Sequence, residues 1–132
     1  MEHQLKGRVA LVSGGGRGIG RSICELLASH GASVAVNYRK DEQAARDTVA
    51  TIVAAGGTAR AYAASVDDAD AVALMVDQVI KDFGYIDLLV CNAGIASRGQ
   101  AVADTDPGEV MRLINTHAIG PHHLARCVLP SM

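Results

Sequence analysis

Short apolar runs alternate along this chain with longer stretches whose apolar positions recur every three or four residues, the signatures of strands and of amphipathic helices. Residues 8–13, built on Val9-Ala10-Leu11-Val12, predict a strand, and 18–30 a helix closed by Gly31. Ala32–Asn37 predicts a second strand, followed by Asp41 as N-cap of a helix burying Ala45, Val49, Ile52 and Val53 ahead of Gly56-Gly57. Thr58–Ala63 predicts a third strand. Asp67 or Asp68 then caps a helix with Val72, Met75, Val76, Val79, Ile80 and Phe83 on one stripe, ended by Gly84. Ile86–Cys91 is a continuous apolar run, the pattern of a parallel strand buried on both faces. Asp106-Pro107-Gly108-Glu109 supplies an N-cap, a first-turn Pro and an acid three residues after the cap for a long helix reaching about Leu129. Gly120-Pro121 falls inside that helix, where Pro removes a hydrogen bond and crowds the carbonyl of His117, so a kink or break is expected there.

Strand and helix alternating four times, with crossovers longer than ten residues, implies an α/β fold: a Rossmann-type, doubly wound parallel sheet with helices on both faces. The expected strand order is 3-2-1-4, ending after strand 4 and helix 4, with the ligand crevice at the switch point between strands 1 and 4. The 132 residues make one domain. Net charge is −2 and aromatic residues are confined to Phe83 and three tyrosines, which leaves no basic and aromatic surface for nucleic acid. No window approaches a membrane span and the first residues carry no signal-peptide core, so a cytoplasmic protein is expected. Cys24, Cys91 and Cys127 fit neither a disulfide framework nor a zinc site, and Cys91 is expected to be a buried small residue. His117, His122 and His123 lack accompanying carboxylates or cysteines at ligand spacing, so no metal is expected.

Between the first strand and helix lies Ser13-Gly14-Gly15-Gly16-Arg17-Gly18-Ile19-Gly20. Glycines let such a turn come close to a phosphate, and the following helix aims its N-terminal N–H groups at the anion. A P-loop reading, Gly15-x-x-x-x-Gly20-Arg21-Ser22, puts Arg where the phosphate-binding Lys belongs, and no later strand ends in a metal-holding Asp.

Ser13-Gly14-x-x-x-Gly18-Ile19-Gly20 resembles the Thr-Gly-x-x-x-Gly-x-Gly cofactor motif of the short-chain dehydrogenases/reductases. Cys91-Asn92-Ala93-Gly94 resembles their Asn-Asn-Ala-Gly after strand 4, and Asn115 their helix-4 catalytic Asn. The resemblance covers essentially the whole chain and implies an NAD(P)-dependent oxidoreductase acting on a small carbonyl compound or secondary alcohol. It places Gly14, Gly18 and Gly20 in the turn, the backbone around Ile19 at the pyrophosphate and nicotinamide ribose, and Asn92, Ala93 and Gly94 along the adenosine side. Strand 2 ends in Asn37-Tyr38-Arg39-Lys40, with no acid before Asp41, which favours NADP over NAD and makes Arg39, with Arg17, the expected 2′-phosphate contacts. After strand 3 the family's Asp-Val is here Ser65-Val66, weakening the expected hold on the adenine.

The family's catalytic Ser and Tyr-x-x-x-Lys have no counterpart: Tyr38, Tyr62 and Tyr85 are followed four residues later by Glu42, Val66 and Leu89. Of the catalytic set only Asn115 is matched, a residue that in the family positions a water near the Lys. The expectation is therefore a fragment, about half of an enzyme that is a homo-oligomer when complete, inactive alone and with strand 4 an open, aggregation-prone edge. The alternative is a non-catalytic NADP-binding or regulatory protein.

Overall fold

The computed structural model describes residues 3–132. Four parallel strands, β1 (Val9–Val12), β2 (Ser33–Tyr38), β3 (Thr58–Ala63) and β4 (Leu88–Val90), lie in the expected order β3-β2-β1-β4. Their register pairs Val9 with Ser33, Ala10 with Leu88 and Ser33 with Thr58. The helices α1 (Gly18–Ser29) and α2 (Glu42–Ala54) cover one face, where Val12, Val34 and Val36 meet Cys24, Ala28, Ala45 and Ile52. Desolvation pushes the Cys24 thiol up to about 12, the mark of a packing residue and not a nucleophile. On the other face α3 (Ala69–Phe83) brings Val72, Met75, Val76 and Val79 against Leu11 and Ala35. Burying those four side chains contributes at most about 6–12 kcal/mol.

Local signals fix the helix starts. Asp41 and Asp68 accept the N–H of Ala44 and Ala71, and Asp106 that of Gly108, each cap being worth about 1 kcal/mol. Of the two candidate caps for α3 it is thus Asp68 that serves, while Asp67 is held against the Ser65 hydroxyl.

The structure departs from the sequence expectations in four places. Val53 is 54% exposed, because on α2 it sits about 80° around the axis from Ala45; the buried position is Thr48, whose hydroxyl donates to the carbonyls of Gly16 and Ala44. β4 spans only Leu88–Val90 and is half-buried throughout, since β1 is its sole partner and its other edge is open among the described residues. Cys91, just beyond it, is exposed for the same reason. Finally, the long helix neither breaks nor runs regularly: α4 (Pro107–Ile114) passes through a π turn at Asn115–Ile119 into α5 (Gly120–Val128). In that turn the Gly120 N–H reaches back five residues to the Asn115 carbonyl, and every flanking residue stays right-handed helical. The wider turn admits Pro121, which lacks the donor that a regular helix would aim at His117.

Candidate cofactor site

The C-terminal ends of β1 and β4 are tied together by side chains flanking the glycine turn. Ser13 is 1% exposed, and its Oγ accepts the N–H groups of Asn92 at 2.9 Å and Ala93 at 3.0 Å. Asn92 answers with its amide Nδ2, which donates to the carbonyls of Ser13 and Gly14 at 3.0 Å each. A Cβ on Gly20 would stand 2.1 Å from the Gly14 carbonyl and 2.4 Å from Asn92 Nδ2, so this glycine seats the first turn of α1 directly on the brace. Gly14, at φ +65°, and Gly18, at φ +57°, supply the left-handed backbone that swings the chain from strand into helix.

Asn37 anchors the turn from the other side. It is 1% exposed at the end of β2, accepts the Gly14 N–H on Oδ1 at 3.2 Å, and donates from Nδ2 to the carbonyls of Tyr62 and Ala64 at 3.3 and 3.1 Å. One buried amide thereby links the ends of three strands. The sequence offered one signal of this, a polar residue directly after the apolar run Val34-Ala35-Val36.

These ties frame a cleft of about 640 Å³, within the range of small-molecule and cofactor sites. The predicted residues Gly14, Arg17, Ile19, Gly20, Arg39, Ser65, Val66, Asn92, Ala93 and Gly94 all line it. Gly18 does not, its part being conformational, and neither does Asn115, whose neighbour Thr116 is the lining residue of the π turn. Among the residues that sequence reasoning did not assign to the site are Asn37, Thr116 and Ile95 on the lining, and His117 against Gly94.

The cleft suits an anionic ligand. Arg17, Arg39 and Lys40 stand exposed at it with no ion pair among the described residues, while the nearby Asp41 is engaged in capping α2. Asp side chains cap α2, α3 and α4, but no side chain caps α1, and Ile19 in its first turn is 74% exposed. A helix end left open beside free cations is a receptive place for phosphate. Partial desolvation holds the Cys91 thiol above its ordinary value, so Cys91 adds no activated nucleophile.

A parallel sheet with a glycine turn and a cleft at its 1/4 switch point defines a nucleotide-binding α/β protein. The chain belongs to the short chain dehydrogenase family, whose profile matches residues 8–132. It is 42% identical over 124 residues to versicolorin reductase stcU of Emericella nidulans, covering 94% of this chain and 47% of that protein. To the trihydroxynaphthalene reductase PfmaI of Pestalotiopsis fici it is 38% identical over 122 residues, 92% of this chain and 43% of the relative. Among solved structures, a metagenomic short-chain oxidoreductase in complex with NADP superposes with a TM-score of 0.92 at 38% identity, covering 97% of this chain and 57% of that one. A short chain dehydrogenase from Burkholderia cenocepacia in complex with NADP gives 0.93 at 36%, covering 98% and 52%. The chain thus spans about half the length of the proteins it matches. No helix among the described residues is long and apolar enough to cross a membrane.

Proposed function

We propose that the cleft binds NADP(H), and that this chain is the dinucleotide-binding part of a short-chain oxidoreductase interconverting a small carbonyl compound and a secondary alcohol. The observation that carries the reading is the placement of unpaired Arg39 and Arg17 at one cleft with the glycine turn and Asn92–Gly94, where β2 ends without an acid. The bound dinucleotide would supply the hydride donor or acceptor. The chain's own residues do the holding: the open end of α1 and the turn face the pyrophosphate, Asn92, Ala93 and Gly94 wall the adenosine side, and Arg39 and Arg17 take the 2′-phosphate. Ser65 and Val66 line the same cleft and stand at the family's Asp-Val position for the adenine, but the Ser65 hydroxyl is turned to Asp67, in keeping with a weaker hold on the base. For Asn115, which does not line the cleft, the family resemblance alone supports a role in the complete enzyme, positioning a water for proton transfer.

The 132 residues contain no Tyr-x-x-x-Lys, so this chain alone binds without turning over; that composition equally favours the second reading, a non-catalytic NADP-binding module. Exposed Val110, Met111 and Ile114 on α4, with the open edge of β4, support an assembly that covers them, as in a homo-oligomer. The test of cofactor choice is Arg39→Asp, which weakens NADPH binding at least about tenfold, the worth of one charge-assisted contact, and leaves NADH within about twofold. Equal losses for both dinucleotides would remove Arg39 from the 2′-phosphate site.

A further inference from the structure

Gly94 lines the cleft, yet its backbone does not need glycine, for it is not among the residues at positive φ. What glycine provides there is room for a ring. The three atoms nearest a Cβ at this position would all belong to the His117 imidazole, with Cε1 at 2.8 Å, Nδ1 at 3.5 Å and Nε2 at 3.6 Å. From this seat His117 Nε2 faces the main chain of the next residue, 3.1 Å from the Ile95 nitrogen and 2.8 Å from the Ile95 oxygen. Unprotonated, Nε2 accepts the Ile95 N–H; protonated, it donates to the Ile95 carbonyl. In either state one nitrogen on the π turn fixes the backbone of Ile95, itself a cleft-lining residue.

The contact continues along the loop. Arg112 Nη2 donates to the Ala96 carbonyl at 3.1 Å, and Glu109 Oε1 accepts the Arg98 N–H at 3.1 Å. Side chains from α4 and the π turn thus lace residues 95–98 to the helix, and His117 is the lace next to the cleft.

We propose that His117 is a positioning residue for the cofactor cleft. Its imidazole, seated in the gap left by Gly94, holds Ile95 and with it the cleft wall beyond β4, and Gly94 is required by that ring. The consequence for binding rests on the NADP(H) reading; the coupling between the two residues rests on the geometry alone. A Cβ at Gly94 would push aside the ring, the movable partner, and so break its bond to Ile95.

A double-mutant cycle on this chain tests it, reading both NADPH affinity and amide exchange at Ile95. Gly94→Ala and His117→Ala each weaken NADPH about three- to tenfold, the worth of one hydrogen bond, and each speeds Ile95 exchange. The double variant binds no more weakly than His117→Ala, because the added methyl then has nothing to displace. His117→Gln, which restores a polar group able to reach Ile95, recovers affinity to within about twofold. The proposal is overturned if Gly94→Ala costs the same factor with and without the imidazole, or if His117→Ala changes neither readout. Global loss of protection identifies a variant that has unfolded, and the comparison of His117→Gln with wild type then decides: matching exchange and affinity sustain the proposal, a loss like that of His117→Ala overturns it. Failure of wild type to bind NADPH refutes the cofactor role, while Ile95 exchange still judges the coupling.

Discussion

Replacing Ser13 with Ala removes a single oxygen without altering shape, and it removes the acceptor through which β1 holds the chain leaving β4. The Asn92 and Ala93 N–H groups, at 2.9 and 3.0 Å from that oxygen, lose their partner together. A buried donor left unsatisfied costs about 1–3 kcal/mol. Both residues are half-buried, so water recovers part of the loss, and the expected destabilisation is about 2 kcal/mol. For a domain whose total stability is on the order of 10 kcal/mol this is readily measured. Urea unfolding followed by circular dichroism should show a midpoint lowered by about 1 M at unchanged slope. Amide exchange should accelerate at Asn92 and Ala93 beyond the global effect. Ser13→Thr, which supplies the residue of the family motif and keeps the acceptor, should remain within about 0.5 kcal/mol of wild type. A Ser13→Ala protein within that same margin would refute the view that this oxygen ties the two strands.

Gly20→Ala should be more severe, since its Cβ meets main-chain and brace atoms that cannot step aside; a loss of at least about 2 kcal/mol in the same unfolding assay is expected, together with loss of NADPH binding. Glu109 gives the pH dependence. Hydrogen bonds from Arg112 hold its carboxyl below the ordinary value of 4.5, so its contribution is complete above that value and is lost as pH falls through the lower folded one. The gap in melting temperature between wild type and Glu109→Gln should therefore be largest near neutrality and close in acid; a gap that stays constant to pH 3 would contradict the assignment. Asp82, held low by the Tyr62 hydroxyl, acts in the same direction.

Much of the molecule is legible in its residues because the signals are local and repeated. Asp41, Asp68 and Asp106 announce helix starts, the α3 stripe announces its buried face, and four strand–helix alternations leave few topologies. The errors come from properties that a pattern does not carry. The run Ile86–Cys91 has the apolarity of a doubly covered strand, an expectation at odds with that of an open edge at strand 4; the half-burial of Leu88–Val90 agrees with the open edge. The Gly120-Pro121 pair marks an irregularity in the helix, but not its form: the structure accommodates it in a π turn at Asn115–Ile119, with Gly120 packed so closely that a Cβ there would stand 2.7 Å from Val66 Cγ2. At the cleft, Gly14 and Asn92 were visible as motif residues, whereas His117 is joined to Gly94 across 23 positions of chain by a contact that only the fold creates.

In the proposed function the 1/4 switch point holds NADP(H) through its 2′-phosphate. Isothermal titration of this chain with NADPH and with NADH tests it most directly. One site per chain is expected, with NADPH at least about tenfold tighter, the contribution of one charge-assisted bond to the phosphate. Equal affinity for the two dinucleotides, or no heat of binding from either, would contradict it.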